Sequence, residues 1–120
     1  LHLQLKNPQA KLITVLHGKI YDVCVDCRKN SRTFGKYFSI YLSEKENKSL
    51  LIPAGFAHGF CTLTDDVVLH YKCSKYRHSQ SETGILWNDS ELRIAWPKKK
   101  LIISEKDKNN FSFKDLKKLI

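Results

Sequence analysis

The residues best equipped for chemistry are few: His58 in the run Leu51 to Phe60 (LIPAGFAHGF), His2 and Gln4 in the opening Leu1-His2-Leu3-Gln4, Tyr71, and the cysteines Cys24, Cys27, Cys61 and Cys73. Imidazole, phenol and thiol groups can move protons or, in the right sets, ligate metals. Around His58, Pro53 fixes φ and cannot continue a ladder, Gly55 can take a backbone conformation closed to other residues, and Phe56, Ala57 and Phe60 lead into another strand. Such a turn delivers His58 to the mouth of a β-barrel, although an ordinary strand-turn-strand with a capping histidine would use the same residues. His2 and Gln4 share one face of a first strand, with Leu1, Leu3 and Leu5 on the other, so they point together into a cavity or into water. Tyr71 shares a face with Leu69 and Cys73, which sends its hydroxyl toward an apolar interior as either a satisfied core group or an acid.

Metal and disulfide chemistry can be weighed on ligand spacing. Cys24-Val-Asp-Cys27 has the CxxC form, but residues three apart on a strand point to opposite faces, and no second CxxC or HxxxH completes a zinc site. All four cysteines are therefore expected as reduced thiols in or near the core. Pro53-x-Gly55-x-x-His58 has the form of the second cupin motif, which metal-binding cupins combine with a His-x-His pair and a downstream Glu. The first motif here is His2-Leu3-Gln4. One His58 with a distant His2 is a poor cage for iron, manganese or zinc, so metal-free chemistry is expected.

The elements that must position these residues are almost all strands. The runs Lys11 to Leu16, Ile20 to Cys27, Tyr37 to Leu42, Ser49 to Ile52, Phe60 to Leu63 and Val67 to Ser74 are short and rich in β-branched or aromatic residues. Turn material such as His17-Gly18-Lys19 and Thr64-Asp65-Asp66 separates them. This pattern predicts a sandwich or barrel. The one helix expected lies at the C-terminus, capped by Ser112 and carrying Phe113, Leu116, Leu119 and Ile120. A chain of 120 residues fits a single domain with one real core. Its formal charge of +9, from 21 Lys plus Arg against 12 Asp plus Glu, suits an anionic partner. The basic residues form no nucleic-acid stripe: the densest run, Lys98 to Lys100, sits beside a proline and a second cluster lies between Lys114 and Lys118, so both are expected as solvated surface. No apolar stretch is long enough to span a bilayer, which makes a cytoplasmic protein that binds neither nucleic acid nor membrane the expectation.

Taken in order, Leu1-His2-Leu3-Gln4, Lys11-Leu12-Ile13, Tyr21 to Asp26, Leu51 to Phe60, Tyr71-Lys72, Gly84 to Asp89, Ile94-Ala95-Trp96-Pro97 and Ser104-Glu105-Lys106-Asp107 resemble the successive signatures of the dTDP-4-dehydrorhamnose 3,5-epimerase family. The resemblance runs from the first residue to about Asn110. It implies an all-β cupin-type jelly roll with no metal or other cofactor, usually a homodimer, that epimerises C3 and C5 of a 4-keto-6-deoxy sugar carried on dTDP. Both carbons flank the C4 ketone, so removing either proton gives an enolate, and returning a proton to the opposite face inverts the centre.

By the same resemblance His2 is the base and Asp107 the carboxylate that holds its imidazole in the right tautomer. Tyr71 matches the proton donor on the other face, and Lys11 the cation that stabilises the enolate oxygen. His58 matches the histidine that contacts the substrate, while Glu82 and Lys106 fall on positions at the nucleotide diphosphate end. One of Asp22 and Asp26 is expected beside Lys11. Arg77 stands where the family usually has a tyrosine stacked on the thymine; a guanidinium can also stack, without selecting the base in the same way. The family's strands ahead of Leu-His-x-Gln, which cross between subunits, have no counterpart in these residues. Two other functions fit the same motifs: a single-centre epimerase or 3,4-ketoisomerase on a related dTDP-4-keto sugar, and a non-catalytic cupin that binds sugar nucleotides.

Overall fold

The computed structural model describes residues 1–97 and 100–120; Lys98 and Lys99, two of the three residues in the densest basic run, lie outside the described residues. Among the described residues eight strands form in chain order: β1 His2–Gln4, β2 Lys11–His17, β3 Lys19–Asp26, β4 Tyr37–Ser43, β5 Ser49–Ile52, β6 Phe56–Thr62, β7 Val68–Cys73 and β8 Glu82–Gly84. Two one-turn helices follow, α1 Glu105–Lys108 and α2 Phe113–Leu116. The strands make a five-stranded sheet in the order β4-β3-β6-β1-β8 and a three-stranded sheet in the order β5-β2-β7. Every strand pairing is antiparallel. This is the expected jelly-roll sandwich with a short C-terminal helix.

β3 explains why the large sheet is buried on both sides, since every residue from Ile20 to Asp26 is buried. Ile20 and Cys24 pack with Ile13, Val15, Leu42 and Ile52 between the sheets. Tyr21, Val23 and Val25 face the other way, against Ile85, Leu92, Phe113 and Leu116. Each fully buried Val or Ile side chain contributes roughly 1.5–3 kcal/mol of transfer free energy, so one strand anchors two cores. Cys24 and Cys27 fall in different cores, as strand geometry requires, and both carry free thiols, as does Cys73.

Several expectations need correction. β6 begins at Phe56, not Phe60, so His58 sits inside a paired strand instead of on the turn before it. Gly55 does make that turn, with φ of 90°, and a Cβ there would lie 2.6 Å from Arg28 Cγ. β8 and α1 were not expected: β8 is a three-residue strand without a β-branched alternation, and Ser104 caps α1 by accepting from Asp107 N. Cys73 is exposed, because β7 is an edge strand whose residues, Leu69 excepted, all lie open to solvent. In the second basic cluster Lys117 pairs with Glu91 and Lys118 with Asp115, both at the surface as expected. Among the described residues no helix is long and apolar enough to cross a membrane.

Candidate active site

The register of β1 against β6 places His2 directly opposite His58. Opposed residues of an antiparallel pair point to the same face with Cβ atoms about 4.5–5.5 Å apart, so both imidazoles project together from the large sheet. The small sheet supplies the facing wall. Its Lys11 and Ile13 come from β2 and its Leu69 and Tyr71 from β7, with Ile13 opposite Tyr71 and Lys11 opposite Cys73. Together these residues line a cavity of about 570 Å³ that continues past Trp87 and Trp96. A second cavity of about 610 Å³ shares His2, Lys11 and Tyr71 with the first and runs toward Tyr76, Arg77 and Glu82. A reacting ring and a longer charged tail can therefore lie end to end through the shared trio.

His2 Nε2 lies 2.6 Å from Asp107 Oδ1, and its Nδ1 is buried without a hydrogen-bond partner, 3.7 Å from Glu82 Oε1. A carboxylate only accepts, so Asp107 fixes the proton on Nε2 and leaves the Nδ1 lone pair unspent. Burial pushes the His2 imidazole below its ordinary value of 6.5, and the Asp107 hydrogen bond opposes that shift. Asp107 is itself held by Ser104 Oγ at 3.0 Å and Asn110 Nδ2 at 3.1 Å. Burial raises its carboxyl, but the His2 and Ser104 hydrogen bonds outweigh this and bring it below the usual range. Gly84 makes room for the brace: a Cβ there would meet Asn110 Oδ1 at 2.6 Å and Leu1 O at 2.7 Å.

Lys11 loses affinity for its proton through burial, countered by the charges of Cys73, Glu82 and Asp22. At the far end of the second cavity, Glu82 accepts from Arg77 Nε at 2.8 Å and from Lys106 Nζ. These two cations hold its carboxyl down at about 2. The trio leaves one net positive charge at the rim, suited to an anionic tail. Among the described residues no group of three or more His, Cys, Asp or Glu could hold a metal ion.

The fold thus gathers His2, Tyr71, Asp107, Lys11 and His58 around the first cavity, with Glu82, Arg77 and Lys106 grouped at the end of the second. Three expectations change. Tyr71 is 59% exposed, so its phenol lies on an open cavity wall instead of in the apolar interior; its strand is an edge of the small sheet. Asp22 accepts from His58 Nε2, both oxygens at 3.0 Å, and reaches Lys11 only by its charge. Asp26 takes no part: it is buried beneath Arg28, Ser31 and Thr33, which all donate to it.

The sequence reading missed Asn110 and the Asp22–His58 pair, both set by contacts between distant segments. It also missed Ser104 as a brace, although Ser104-x-x-Asp107 has capping-box spacing that signals a helix start. Tyr76, beside Arg77, is 97% exposed and lines the second cavity, and no sequence pattern marks it out.

Residues 1–115 match the family model described as dTDP-4-dehydrorhamnose 3,5-epimerase. A dTDP-4-dehydrorhamnose 3,5-epimerase of Methanothermobacter thermautotrophicus is 46% identical over 112 residues, covering 91% of this chain and 60% of the relative. The crystal structure of dTDP-4-dehydrorhamnose 3,5-epimerase from Elizabethkingia anophelis superposes with a TM-score of 0.93 at 44% identity, covering 96% of this chain and 64% of that one. A Legionella pneumophila dTDP-6-deoxy-D-glucose-3,5-epimerase in complex with dTDP-4-keto-L-rhamnose gives 0.88 at 40% identity, covering 92% and 59%. The chain thus spans about 60% of the length of these relatives. A cupin sandwich with paired histidines between its sheets, matched at this identity over nearly all its residues, belongs to the dTDP-4-dehydrorhamnose 3,5-epimerase family.

Proposed function

We propose that this chain carries the catalytic site of an enzyme that epimerises C3 and C5 of dTDP-4-dehydro-6-deoxy-D-glucose to give dTDP-4-dehydro-L-rhamnose. The observation that carries the reading is the His2–Asp107 pair at 2.6 Å on the wall of a cavity that Lys11 and Tyr71 share. A histidine with one nitrogen tied to a carboxylate and the other unpaired is suited to take a carbon-bound proton. Lys11 supplies positive charge for the enolate oxygen, and Tyr71 returns a proton from the opposite face. Repeating the cycle at the second carbon beside the same ketone completes the double inversion. His58 contacts the sugar, and Arg77, Lys106 and Glu82 hold the nucleotide diphosphate at the rim.

The relative crystallised with dTDP-4-keto-L-rhamnose supports this choice of substrate class. The enzyme acts as a homodimer in the cytoplasm, a reading supported by the open edge of β7 and by the free thiols of Cys24, Cys27 and Cys73, which suit a reducing compartment. The deciding experiment incubates the protein with dTDP-4-keto-6-deoxyglucose in deuterated water and follows the sugar by NMR. Deuterium at both C3 and C5 is expected. Label at one carbon alone indicates a single-centre epimerase, migration of the ketone a ketoisomerase, and binding without label a non-catalytic cupin.

A further inference from the structure

The second histidine of the cavity has its own carboxylate, and the two pairs are built differently. Asp107 keeps 34% of its side chain exposed, whereas Asp22 has none and His58 only 9%. Both Asp22 oxygens lie 3.0 Å from His58 Nε2, while neighbouring β3 and β6 residues, with Cys24 opposite His58 and Asp22 opposite Phe60, clamp the pair from the backbone. A carboxylate with no solvent to turn toward and one imidazole nitrogen equidistant from both oxygens leaves that imidazole a single arrangement.

We propose that Asp22 is a positioning residue that locks His58 as the Nε2–H tautomer, so that Nδ1 faces the bound sugar as a hydrogen-bond acceptor. An acceptor pairs with a sugar hydroxyl and not with a ketone or enolate oxygen, which also only accepts. The ketone oxygen is then left to Lys11, the cation of the same cavity, on which Asp22's charge also acts. His58 thereby fixes which way round the ring lies, and His2 handles the protons. This rests on the epimerase reading for the identity of the sugar, but not for the tautomer.

Two measurements test it. Long-range ¹H–¹⁵N spectra of protein labelled at histidine nitrogen read the tautomer directly, without substrate. His58 is expected with Nε2 protonated and Nδ1 bare at neutral pH, and Asp22→Asn, whose amide can donate or accept, is expected to mix the tautomers. A His58 with Nδ1 protonated in the unmodified protein, or a spectrum unmoved by Asp22→Asn, overturns the proposal.

Calorimetry then compares dTDP-rhamnose with dTDP alone. Losing one neutral hydrogen bond should weaken dTDP-rhamnose binding roughly three- to tenfold in Asp22→Asn and leave dTDP unchanged. Equal losses for both ligands would make Asp22 merely structural and sink the assignment. If Asp22→Asn fails to fold, His58→Asn and His58→Phe decide: the asparagine amide oxygen replaces the Nδ1 acceptor and should retain the sugar's contribution, whereas phenylalanine should lose it. Should the unmodified protein incorporate no deuterium into the 4-keto substrate, the epimerase reading falls while the spectra still decide the tautomer.

Discussion

His2 and Tyr71 belong to opposite sheets, on β1 of the large one and β7 of the small one, so the proposed proton acceptor and donor approach a bound ring from different sides. Their variants should separate. His2→Ala removes the proposed base, and both inversion and solvent exchange should fall by roughly 10² to 10⁴. Tyr71→Phe keeps the base and removes the opposite-face donor, so the enolate should still form and take up deuterium with retention while inversion becomes slow. Equal loss of exchange in both variants would reassign Tyr71 to substrate orientation. The His2 environment also sets a pH limit: burial lowers its pKa, so the acid limb of kcat/KM should lie below pH 6.5, the group's ordinary value. Asp107 pulls that pKa up, so Asp107→Asn should move the limb lower still as well as reduce the rate; a limb above 6.5 in the unmodified protein contradicts this assignment.

At the scale of elements, the carboxylate of the His2 pair depends on a helix of one turn. Ser104 Oγ accepts from Asp107 N at 3.2 Å and donates to Asp107 Oδ2 at 3.0 Å, so one hydroxyl both starts α1 and aims the carboxylate. Ser104→Ala should cost about 0.5–2 kcal/mol of stability, measured by urea unfolding, and reduce kcat more than it raises KM. Unchanged kcat would mean that His2 and Asn110 alone hold Asp107. The sequence reveals β2 to β5 and β7 to within a residue or two, because each alternates faces over enough β-branched and aromatic residues to outweigh its flanks. It does not reveal β8, where Glu82-Thr83-Gly84 becomes a strand only because β1 lies alongside it. Nor does it pair Asp22 with His58, since that contact depends on the register of β3 against β6 over 36 residues of separation. The proposed base, its carboxylate and the facing tyrosine were legible only as members of motif blocks; their meeting in one cavity is a property of the sheets.

For the whole molecule, two carboxylates link the fold to acid. Glu82 is pulled from an ordinary 4.5 to about 2 by Arg77 and Lys106, and Asp26 is held far below its usual range by Arg28, aided by Ser31 and Thr33. Both groups therefore give up protons on folding, and the unfolded chain binds more protons than the native one in acid. Stability from Glu82 is in full force above about pH 4.5 and lost as the pH falls toward 2; that from Asp26 fades over a window reaching lower still. The two contributions differ in size. Glu82's partners are 69% and 58% exposed, so solvent screens those pairs and they add little. Asp26 is 1% exposed and accepts several hydrogen bonds in the loop that follows β3, where removing a charged acceptor costs about 1–3 kcal/mol. Asp26→Asn should therefore unfold at lower urea at pH 7 and show a flatter loss of stability toward pH 3, while Glu82→Gln should change neutral stability little and act mainly on affinity for the nucleotide. The formal +9 charge steepens the acid limb in all three proteins, because protonating carboxylates leaves the cations unopposed. An Asp26→Asn protein as stable as the parent at pH 7 would show that the loop is held by packing alone.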